Sequence, residues 1–231
     1  MSSSLKKRRQ FFITGTDTDV GKTYCAVALL DKFNESGLKT LALKPVASGC
    51  ENTSEGLRNP DALALMQHAS IKAPYEEVNP FAFEPAIAPH IAAKQLNKRI
   101  TVRQLEGFCK GAMTLNRPDI LLVEGAGGWR CPINDGETLA DLAISLKAEV
   151  ILVVGIKLGC INHAVLTAEA IRRDGLTVAG WIANCVSPST QCQAENIASV
   201  QLYMNAPLLG VLPYGASPAS AYLDLSGLAL N

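Results

Sequence analysis

The chain has 231 residues, enough for one domain or at most two small ones, and 48% of them are hydrophobic while 18% are charged. That much apolar material can form a sizeable core, which excludes a disordered chain. Lys+Arg and Asp+Glu both number 21, so the chain is formally neutral. It therefore has no overall positive charge that would attract nucleic acid or an anionic membrane. No run approaches the roughly 18 apolar residues that a transmembrane helix needs. We therefore expect neither a nucleic-acid partner nor a membrane partner.

The N-terminus and the cysteines carry no targeting or metal signature. The basic run at 6–9 precedes an apolar stretch far too short for a signal peptide, so residues 1–10 are predicted to be a flexible lead-in. The seven cysteines include no C-x-x-C pair, and their odd number argues against a disulfide framework. Reduced thiols in a cytoplasmic protein are the expectation.

Short apolar runs alternate with amphipathic segments along the chain. The predicted strands cover residues 11–14, 40–43, 120–123, 150–154, 178–183 and 208–212. The predicted helices cover residues 24–34, 62–68, 102–115, 139–146, 164–173 and 195–203. Residues 71–99, rich in Pro, Ala and Asn, are predicted to be irregular. This order predicts a single α/β domain over residues 1–231, with a mostly parallel sheet flanked by helices on both faces.

The segment at 15–23, Gly-Thr-Asp-Thr-Asp-Val-Gly-Lys-Thr, lies between the first predicted strand and the first predicted helix. It matches a P-loop, except that its first glycine comes one residue early. Lys22 would bridge the β- and γ-phosphates of ATP, and the Thr23 hydroxyl would ligate Mg²⁺. Backbone N–H groups at the start of the helix would face phosphate oxygens. The alternative is a strand–helix turn that binds nothing. The predicted nucleotide-binding residues are Asp19, Val20, Gly21, Lys22, Thr23 and Tyr24.

A carboxylate ends the predicted strand at 120–123. Glu124 stands where a Walker B acidic residue would stand, and it is predicted to hold Mg²⁺ directly or through water. The flexible residues after it, Gly125, Ala126 and Gly127, would let the backbone approach the nucleotide. The alternative is a solvated glutamate before a turn.

Three further polar residues are candidates at the same edge of the sheet, because ligands bind beyond the carboxyl ends of parallel strands. Lys44 would stabilise negative charge during phosphoryl transfer, although a lone lysine at such a position is more often simply exposed. Ser48 would hydrogen-bond a substrate. Asp61 opens a predicted helix, where a carboxylate either organises a metal or complements the helix dipole.

Weaker candidates follow the later strands, and they are Gly159, Cys160, Ile161, Asn162, Asn184, Pro213, Tyr214 and Gly215. The first four precede a predicted helix, and their free N–H groups would suit a carboxylate. Cys160 is not interpreted as a nucleophile, because no base lies near it in the sequence. The last four either terminate strands or line a purine pocket.

Together these segments resemble dethiobiotin synthetases, from about residue 11 to residue 214. The runs that carry the resemblance are GTDTDVGKT (15–23), KPVASG (44–49), EGLRNPDALAL (55–65), VNPFAF (78–83), PH (89–90), VEGAGGW (123–129), VILVVGIKLGCINHAVLTAEAI (150–171), GWIAN (180–184) and APLLGVLPY (206–214). The runs at 44–49 and 157–164 are far more specific than any P-loop.

The resemblance implies a reaction, its substrates and a subunit arrangement. Such enzymes close the ureido ring of 7,8-diaminononanoate with CO₂ or bicarbonate and MgATP, through a carbamate and its mixed anhydride with phosphate. A homodimer with the substrate site at its interface is also implied. No covalent enzyme intermediate is needed, so catalysis would rest on positioning and charge neutralisation.

The resemblance further implies roles for individual residues. Lys22 and Lys44 would flank the transferred phosphate as catalytic residues, and Thr18 would lie near the carbamate and the γ-phosphate. The implied Mg²⁺ group is Thr23, Asp61 and Glu124.

The remaining implied roles concern the substrate and the adenine base. Ser48 would contact the diamine or its carbamate, and residues 159–162 would bind the substrate carboxylate across the dimer. Asn184 and residues 213–215 would form the adenine pocket. The stretch at 216–221 lacks the acidic residues that the family often has there, so no ribose contact is predicted.

Three alternatives remain open at this stage. A partition-type or Fe–S assembly ATPase usually has a lysine early in the P-loop, where this chain has Thr16 and Asp17. Ser48 and the run at 157–162 argue only weakly against a close paralogue that acts on another substrate. A non-catalytic nucleotide-binding module would not need three charged residues at strand ends beside a P-loop.

Overall fold

A computed structural model describes residues 8–230 of the chain. The strands within that range are β1 (Arg9–Gly15), β2 (Thr40–Leu43), β3 (Val46–Ser48), β4 (Glu51–Thr53), β5 (Gly56–Arg58), β6 (Phe81–Phe83), β7 (Ile120–Gly128), β8 (Glu149–Gly155), β9 (Val178–Asn184) and β10 (Leu208–Leu212). The α-helices are α1 (Lys22–Glu35), α2 (Pro60–His68), α3 (Tyr75–Val78), α4 (Pro89–Gln95), α5 (Val102–Asn116), α6 (Leu139–Ser145), α7 (Cys160–Arg173) and α8 (Gln193–Met204).

Six of the strands form one parallel sheet in the order β10-β9-β8-β1-β7-β2. The strand that precedes the P-loop segment therefore lies inside the sheet, between β8 and β7. Because the pairing is parallel throughout, all the strands end at the same edge. The α/β fold class predicted from the sequence is confirmed.

The two faces of the sheet are covered by different helices, as a parallel sheet requires. Phe11 and Ile13 of β1 point into an apolar cluster that contains the inner side of α1. Phe12, between them, points into the opposite cluster, which contains residues of α5, α6, α7 and α8. The two clusters draw on alternate residues of the central strands β1, β7 and β8, which explains why these strands are apolar at nearly every position.

The strand β7 is longer than predicted, because it continues through the glycine-rich run to Gly128. Ile13 is paired with Glu124, and pairing resumes between Gly15 and Gly128 after a register shift. Gly127 has φ +61°, a conformation that favours glycine. The prediction ended the strand at 123 because this bulged continuation has no apolar alternation.

Four helices, α1, α2, α7 and α8, begin two to four residues earlier than predicted. Two of them, α1 and α7, follow a glycine with a left-handed backbone. Gly21, with φ +84°, precedes α1, and Gly159, with φ +91°, precedes α7. Residues 160–162 are therefore the first turn of α7, where the sequence predicted a free turn before a helix at 164. A glycine is ambiguous in sequence, because it marks turns as readily as helix ends.

The prediction that residues 71–99 are irregular is wrong in part, since α3, β6 and α4 lie there. β6 pairs in parallel with β3, and β4 pairs with β5 as an antiparallel hairpin. The segment before α3 also contacts the edge strand, because the Ile71 N–H donates to the Thr40 carbonyl at 3.0 Å. Elements of three to seven residues are too short to show a periodic pattern.

The predicted lead-in at 1–10 lies outside the described residues except for its last three, and β1 already begins at Arg9. Among the helices of the described part, none combines the length and the apolar character that crossing a membrane would take. All seven cysteines lie in the described range and are unpaired.

Candidate active site

The carboxyl ends of β1, β2 and β7 meet at one edge of the sheet, and the residues that follow them line a cleft of about 780 Å³. Most of the residues predicted from the sequence for phosphate, metal and substrate are brought together here. The predicted residues that line the cleft are Thr18, Asp19, Gly21, Lys22, Thr23, Tyr24, Lys44, Ser48, Asp61, Glu124, Ala126 and Gly127.

The loop between β1 and α1 has a backbone that few residues tolerate. Asp19 has φ +57° and Gly21 has φ +84°. A side chain at Gly21 would also displace the Asn184 amide, because its Cβ would lie 2.2 Å from Asn184 Nδ2. Lys22 Nζ donates a hydrogen bond of 3.0 Å to the Asp17 carbonyl, so the lysine is folded over its own loop. The loop thus resembles a preformed anion site at a helix N-terminus.

Glu124 is the centre of a charged cluster in the cleft. Its Oε1 accepts hydrogen bonds from Thr23 Oγ1 at 2.8 Å and from Lys44 Nζ at 2.5 Å. The second contact follows from strand register, since Leu43 of β2 is paired with Val123 of β7 and the two charged residues come one position later. The side chains of Lys44 and Glu124 are 6% and 1% exposed, so their ion pair is shielded from bulk water.

Asp61 contacts the same lysine from α2. The distance from Lys44 Nζ to Asp61 Oδ2 is 3.1 Å, and the aspartate side chain is 47% exposed. Asn59 caps the helix by accepting a hydrogen bond of 3.1 Å from the Ala62 N–H, and Pro60 is the first helical residue. Asp61 therefore belongs to the charged cluster and also stands in a favourable first turn.

The two cleft lysines have opposite pKa shifts. Burial lowers the pKa of Lys44, but the charges and hydrogen bonds of Glu124 and Asp61 outweigh it, so the Lys44 pKa lies above its ordinary value. Burial, followed by the nearby charge of Lys44, lowers the pKa of Lys22. Lys44 is already neutralised by carboxylates, whereas Lys22 is the ammonium group that an incoming anion would stabilise.

The donor set of the cleft fits a hard divalent cation. Thr23 supplies a hydroxyl, and Asp61 and Glu124 supply carboxylates, which are the oxygen ligands that Mg²⁺ prefers. Glu124 Oε2 is buried and has no hydrogen-bond partner among residues 8–230. An unpartnered buried carboxylate oxygen is costly, and a cation next to it would relieve that cost.

Ser48 and several unpredicted residues complete the walls of the cleft. Ser48 Oγ is buried and lacks a hydrogen-bond partner within the described part of the chain. The lining residues to which the sequence assigned no role are Ala47, Ala86, Ile87, Ala88, Pro89 and Cys131. Pro89 belongs to the Pro-His run noted in the sequence. Nothing local marks Cys131, because its place in the wall results from tertiary packing.

Val20, Gly125 and Asn184, which were predicted to bind the nucleotide, are not among the residues that line the cleft. Val20 and Gly125 are buried. Asn184, at the end of β9, is 6% exposed, and its Nδ2 donates to the Val20 carbonyl at 2.9 Å. The asparagine thus joins the end of β9 to the phosphate-binding loop.

The other residues predicted for the adenine pocket form a turn after β10. The Ala216 N–H donates to the Pro213 carbonyl at 3.2 Å, and Gly215 has φ +68°. Tyr214 is 60% exposed. The turn is joined to α1 by Tyr24, whose hydroxyl donates to the Ala216 carbonyl at 2.5 Å.

The residues predicted to bind the substrate carboxylate are not among those that line the cleft. Gly159 precedes α7, and the leucine before it, Leu158, is 96% exposed. Cys160 is buried, Ile161 is half-buried and Asn162 is exposed. The start of α7 is therefore an exposed surface of the chain.

Comparison with known proteins yields close relatives of nearly the same length. The chain is 53% identical over 225 residues to the ATP-dependent dethiobiotin synthetase BioD of Cellvibrio japonicus, covering 96% of this chain and 98% of the relative. It is 50% identical over 235 residues to the enzyme of that name from Marinobacter nauticus, covering 97% and 99%. The chain belongs to the dethiobiotin synthetase family.

Broader comparisons of this dethiobiotin synthetase family member agree on the fold. A family profile described as an AAA domain matches residues 9–219. Chloroplast FtsY from Physcomitrella patens aligns with a TM-score of 0.51 at 17% identity, over 99% of this chain and 67% of that chain. FtsY from Mycoplasma mycoides aligns with a TM-score of 0.56 at 15% identity, over 96% and 66%. The chain thus spans about two thirds of these solved chains, and at such identity they support the fold alone.

Proposed function

We propose that the chain forms dethiobiotin from 7,8-diaminononanoate, CO₂ and MgATP, releasing ADP and phosphate. The observation that carries the proposal is the buried Glu124 carboxylate, which holds both Thr23 and Lys44 beside the phosphate-binding loop. Together with the family membership, this arrangement supports phosphoryl transfer as the central step. A cytoplasmic location fits the seven unpaired thiols.

The chemistry is a sequence of three bond-forming steps. One amine of the substrate attacks the carbon of CO₂ and loses a proton, giving a carbamate. A carbamate oxygen then attacks the γ-phosphorus of ATP, and the bond to the bridging oxygen of ADP breaks. The second amine finally attacks the carbamate carbon and loses a proton, while the C–O bond to phosphate breaks and the ureido ring closes.

Lys22 and Lys44 are proposed to bracket the transferred phosphoryl group. Lys22 is buried, and its lowered pKa reflects burial and the nearby charge of Lys44, so a phosphate would relieve an unfavourable environment. Phosphate binding would exchange its present bond to the neutral Asp17 carbonyl for a bond to an anionic oxygen. Lys44 is held by two carboxylates and would stabilise charge that develops on the transferred oxygens.

Thr18 and Ser48 are proposed to contact the carbamate and the diamine. Both line the cleft, and Ser48 has a buried hydroxyl oxygen for which the described residues provide no partner. A substrate N–H or oxygen in the cleft would satisfy that hydroxyl. Positioning of this kind can account for a large part of the rate when two reacting groups must meet.

Thr23, Asp61 and Glu124 are proposed to hold Mg²⁺. When bound, the ion would neutralise charge on the β- and γ-phosphate oxygens. The chain's own contribution is geometric, because Glu124 fixes the Thr23 hydroxyl and the Lys44 ammonium group on one carboxylate oxygen and leaves its other oxygen unpartnered in the part of the chain described.

Asn184 and residues 213–215 are proposed to form the adenine pocket, with the backbone of residues 19–24 around the phosphates. The turn at 213–216 is joined to α1 through Tyr24, and Asn184 is joined to the loop through Val20. Both contacts support a continuous nucleotide site that runs from the cleft to the ends of β9 and β10.

A homodimer is proposed to complete the substrate site, with residues 159–162 of a second copy binding the carboxylate of the diamine. Two features support this arrangement. The start of α7 is exposed, with Leu158 and Leu166 being 96% and 56% accessible. The backbone N–H groups at the start of this 14-residue helix suit an anion.

The direct test is product formation by the purified chain. MgATP, ¹³C-bicarbonate and 7,8-diaminononanoate should give dethiobiotin one mass unit heavier than with unlabelled bicarbonate, together with stoichiometric ADP. Lys44→Met should lower kcat at least about 100-fold, whereas Lys110→Met, which removes an exposed lysine paired with Glu106 on α5, should retain the rate.

The competing functions have different outcomes in that assay. If the rate of ADP release is the same with and without 7,8-diaminononanoate, a nucleotide-driven ATPase is favoured. If 7,8-diaminononanoate does not stimulate ADP release but another diamine or amino acid is turned over, a paralogue is favoured. A Lys44→Met protein with the wild-type rate would refute the catalytic role of that lysine.

A further inference from the structure

A buried set of hydrogen bonds lies behind the cleft, and two of its three side chains belong to the segment 71–99, which was predicted to be irregular. The Tyr75 hydroxyl donates to Asn79 Oδ1 at 2.8 Å and accepts from the Asn59 N–H at 2.7 Å. Tyr75, Asn79 and Asn59 are 8%, 3% and 4% exposed. A single phenol oxygen therefore joins the start of α2 to the end of α3.

One branch of this network ends on Lys44. Asn79 Nδ2 donates to the Lys44 carbonyl at 2.6 Å, and the Lys44 N–H donates to the Val78 carbonyl at 2.9 Å. Both backbone polar groups of Lys44 are thus held by two consecutive residues. The strand β2 ends at Leu43. These two bonds therefore hold the backbone of Lys44 just beyond the last residue of β2 that pairs in the sheet.

The other branch ends on Ser48 and Asp61. Asn59 Nδ2 donates to the Ser48 carbonyl at 3.4 Å, and Asn59 Oδ1 caps α2, whose first turn carries Asp61. The three cleft residues Lys44, Ser48 and Asp61 come from different places, namely the end of β2, the end of β3 and the start of α2. The network joins the backbones at these three places through hydrogen bonds.

Tyr75 is suited to the centre of such a network. Burial raises the pKa of its hydroxyl, which therefore remains protonated and able to donate. The guanidinium carbon of Arg58 lies 4.2 Å from the centre of its ring, so the ring has a fixed partner on one face. A buried, fully satisfied polar network of this kind specifies one geometry rather than several.

We propose that Tyr75, Asn79 and Asn59 are positioning residues, which set the placement of Lys44, Ser48 and Asp61 relative to one another for phosphoryl transfer to the carbamate. The inference rests on the proposed function and deepens it. None of the three residues lines the cleft, so they act through the backbones that they bind.

The test compares two variants that each remove one buried hydroxyl with the same bonding pattern. Tyr75→Phe deletes a hydroxyl that accepts from a backbone N–H and donates to an asparagine Oδ1. Thr40→Val does the same at the opposite end of β2, where Thr40 Oγ1 accepts from the Ser70 N–H at 2.9 Å and donates to Asn34 Oδ1 at 2.8 Å. Thr40 is buried as well.

Both variants should lower the melting temperature by similar amounts, but their kinetics should differ. Tyr75→Phe is expected to lower kcat about tenfold, because small misplacements of reacting groups slow a reaction strongly. The KM for ATP should stay within about twofold of the wild-type value, because residues 15–23 are unchanged. Thr40→Val should keep kcat. Asn59→Ser, which retains a capping oxygen but removes the amide bound to Ser48, should also lower kcat and provides a second route if Tyr75→Phe does not fold.

A second measurement needs no substrate. The protein is labelled with ¹³C at the lysine ε-carbons and studied by NMR. The Lys44 resonance is the one that is missing from the spectrum of Lys44→Met. We expect this resonance to shift or broaden in Tyr75→Phe and to keep its position in Thr40→Val.

The outcomes separate this inference from the proposed function. Suppose that the wild-type protein is active, that Tyr75→Phe and Thr40→Val have the same kcat, and that neither variant moves the Lys44 resonance. That result would overturn the positioning role alone. A wild-type protein that forms no dethiobiotin would overturn the proposed function, and the Lys44 resonance would still decide whether the network positions the lysine.

Discussion

At the scale of single residues, Glu124 joins three parts of the cleft through one carboxylate. Its Oε1 accepts from Thr23 at the start of α1 and from Lys44 after β2, while its Oε2 lies buried without a partner in the described range. Removing its charge would leave the buried Lys44 ammonium group with only the half-exposed Asp61 as a counter-ion. Such an uncompensated buried charge is costly.

Glu124→Gln keeps the shape of the side chain and removes the charge. We expect kcat to fall about 100-fold and the Mg²⁺ concentration that gives half the maximal rate to rise about tenfold. Steady-state rates across a Mg²⁺ titration at saturating ATP measure both effects.

The matched control is Glu149→Gln, which removes the charge of an ion-paired carboxylate that does not line the cleft. Glu149 receives two hydrogen bonds from Arg9, at 2.9 and 2.5 Å, at the start of β8. This variant should lose some stability and keep the Mg²⁺ dependence of the wild type. An unchanged Mg²⁺ dependence in Glu124→Gln would contradict the metal role of that residue.

The sequence predicted the identity of these residues but not their contacts. Lys44, Asp61 and Glu124 stand out because each is a charged residue at the end of an apolar strand or at the start of a helix. Their meeting depends on the pairing of Leu43 with Val123, and strand register is a tertiary property that a single sequence does not show. The Tyr75 network left no local signal for the same reason.

At the scale of elements, α1 links the phosphate loop to the turn after β10. Tyr24, in the first turn of the helix, donates its hydroxyl to the Ala216 carbonyl. Burial raises the pKa of Tyr24, so the hydroxyl stays protonated as a donor. If residues 213–215 form the adenine pocket, this bond holds that part of the base site at a set distance from the phosphate site, beside the separate contact between Asn184 and Val20.

Tyr24→Phe should therefore weaken nucleotide binding more than it slows chemistry. Loss of one hydrogen bond of roughly 1 kcal/mol corresponds to an increase of about fivefold in the KM for ATP, with kcat within about twofold. Initial rates over a range of ATP concentrations provide the measurement. Tyr203→Phe, at an exposed position on α8, serves as the control, and equal KM values in the two variants would count against the link.

Element boundaries were predictable where the pattern was long and periodic. The strands at 40–43 and 208–212 were placed correctly to the residue, and the helix at 102–115 within one residue. The starts of α1 and α7 were missed because a left-handed glycine precedes each of them. The end of β7 was missed because its last residues are a glycine-rich bulge.

At the scale of the whole molecule, the fold distributes the seven cysteines between three environments. Cys192 is exposed, and Cys131 lies half-buried in the cleft wall, close to Gly127. The buried thiols are Cys25, Cys50, Cys109, Cys160 and Cys185. Burial raises the pKa of Cys109 to about 12 and that of Cys25 still further, so these thiols are poor nucleophiles near neutral pH.

Titration of the native protein with a chromogenic disulfide at about pH 8 should resolve these environments, because reactivity follows accessibility and thiolate character. Cys192 should react first, Cys131 should react slowly, and MgATP should slow Cys131 further by filling the cleft. The buried thiols should react only in denaturant. Cys192→Ser should abolish the fast phase and Cys131→Ser the nucleotide-sensitive phase, and a fast phase that survives Cys192→Ser would refute the assignment.

The architecture as a whole was the most predictable level, since alternating apolar strands and helices admit few arrangements other than a covered parallel sheet. The order of the strands within the sheet was not predictable, because sequence neighbours such as β1 and β2 are separated in space by β7. The short elements between β2 and α5 were also not predictable, although they bring Tyr75 and Asn79 to the back of the cleft.

The same short elements have a consequence for the solubility of the protein. β2 is the outermost strand on its side of the sheet, and an open strand edge can pair with the edge of another molecule. Here the Thr40 carbonyl and the Lys44 N–H, at the two ends of that edge, are already bonded to Ile71 and Val78. The segment that binds the backbone of Lys44 thus also occupies the place where a foreign strand would add, so loosening it is expected to favour aggregation.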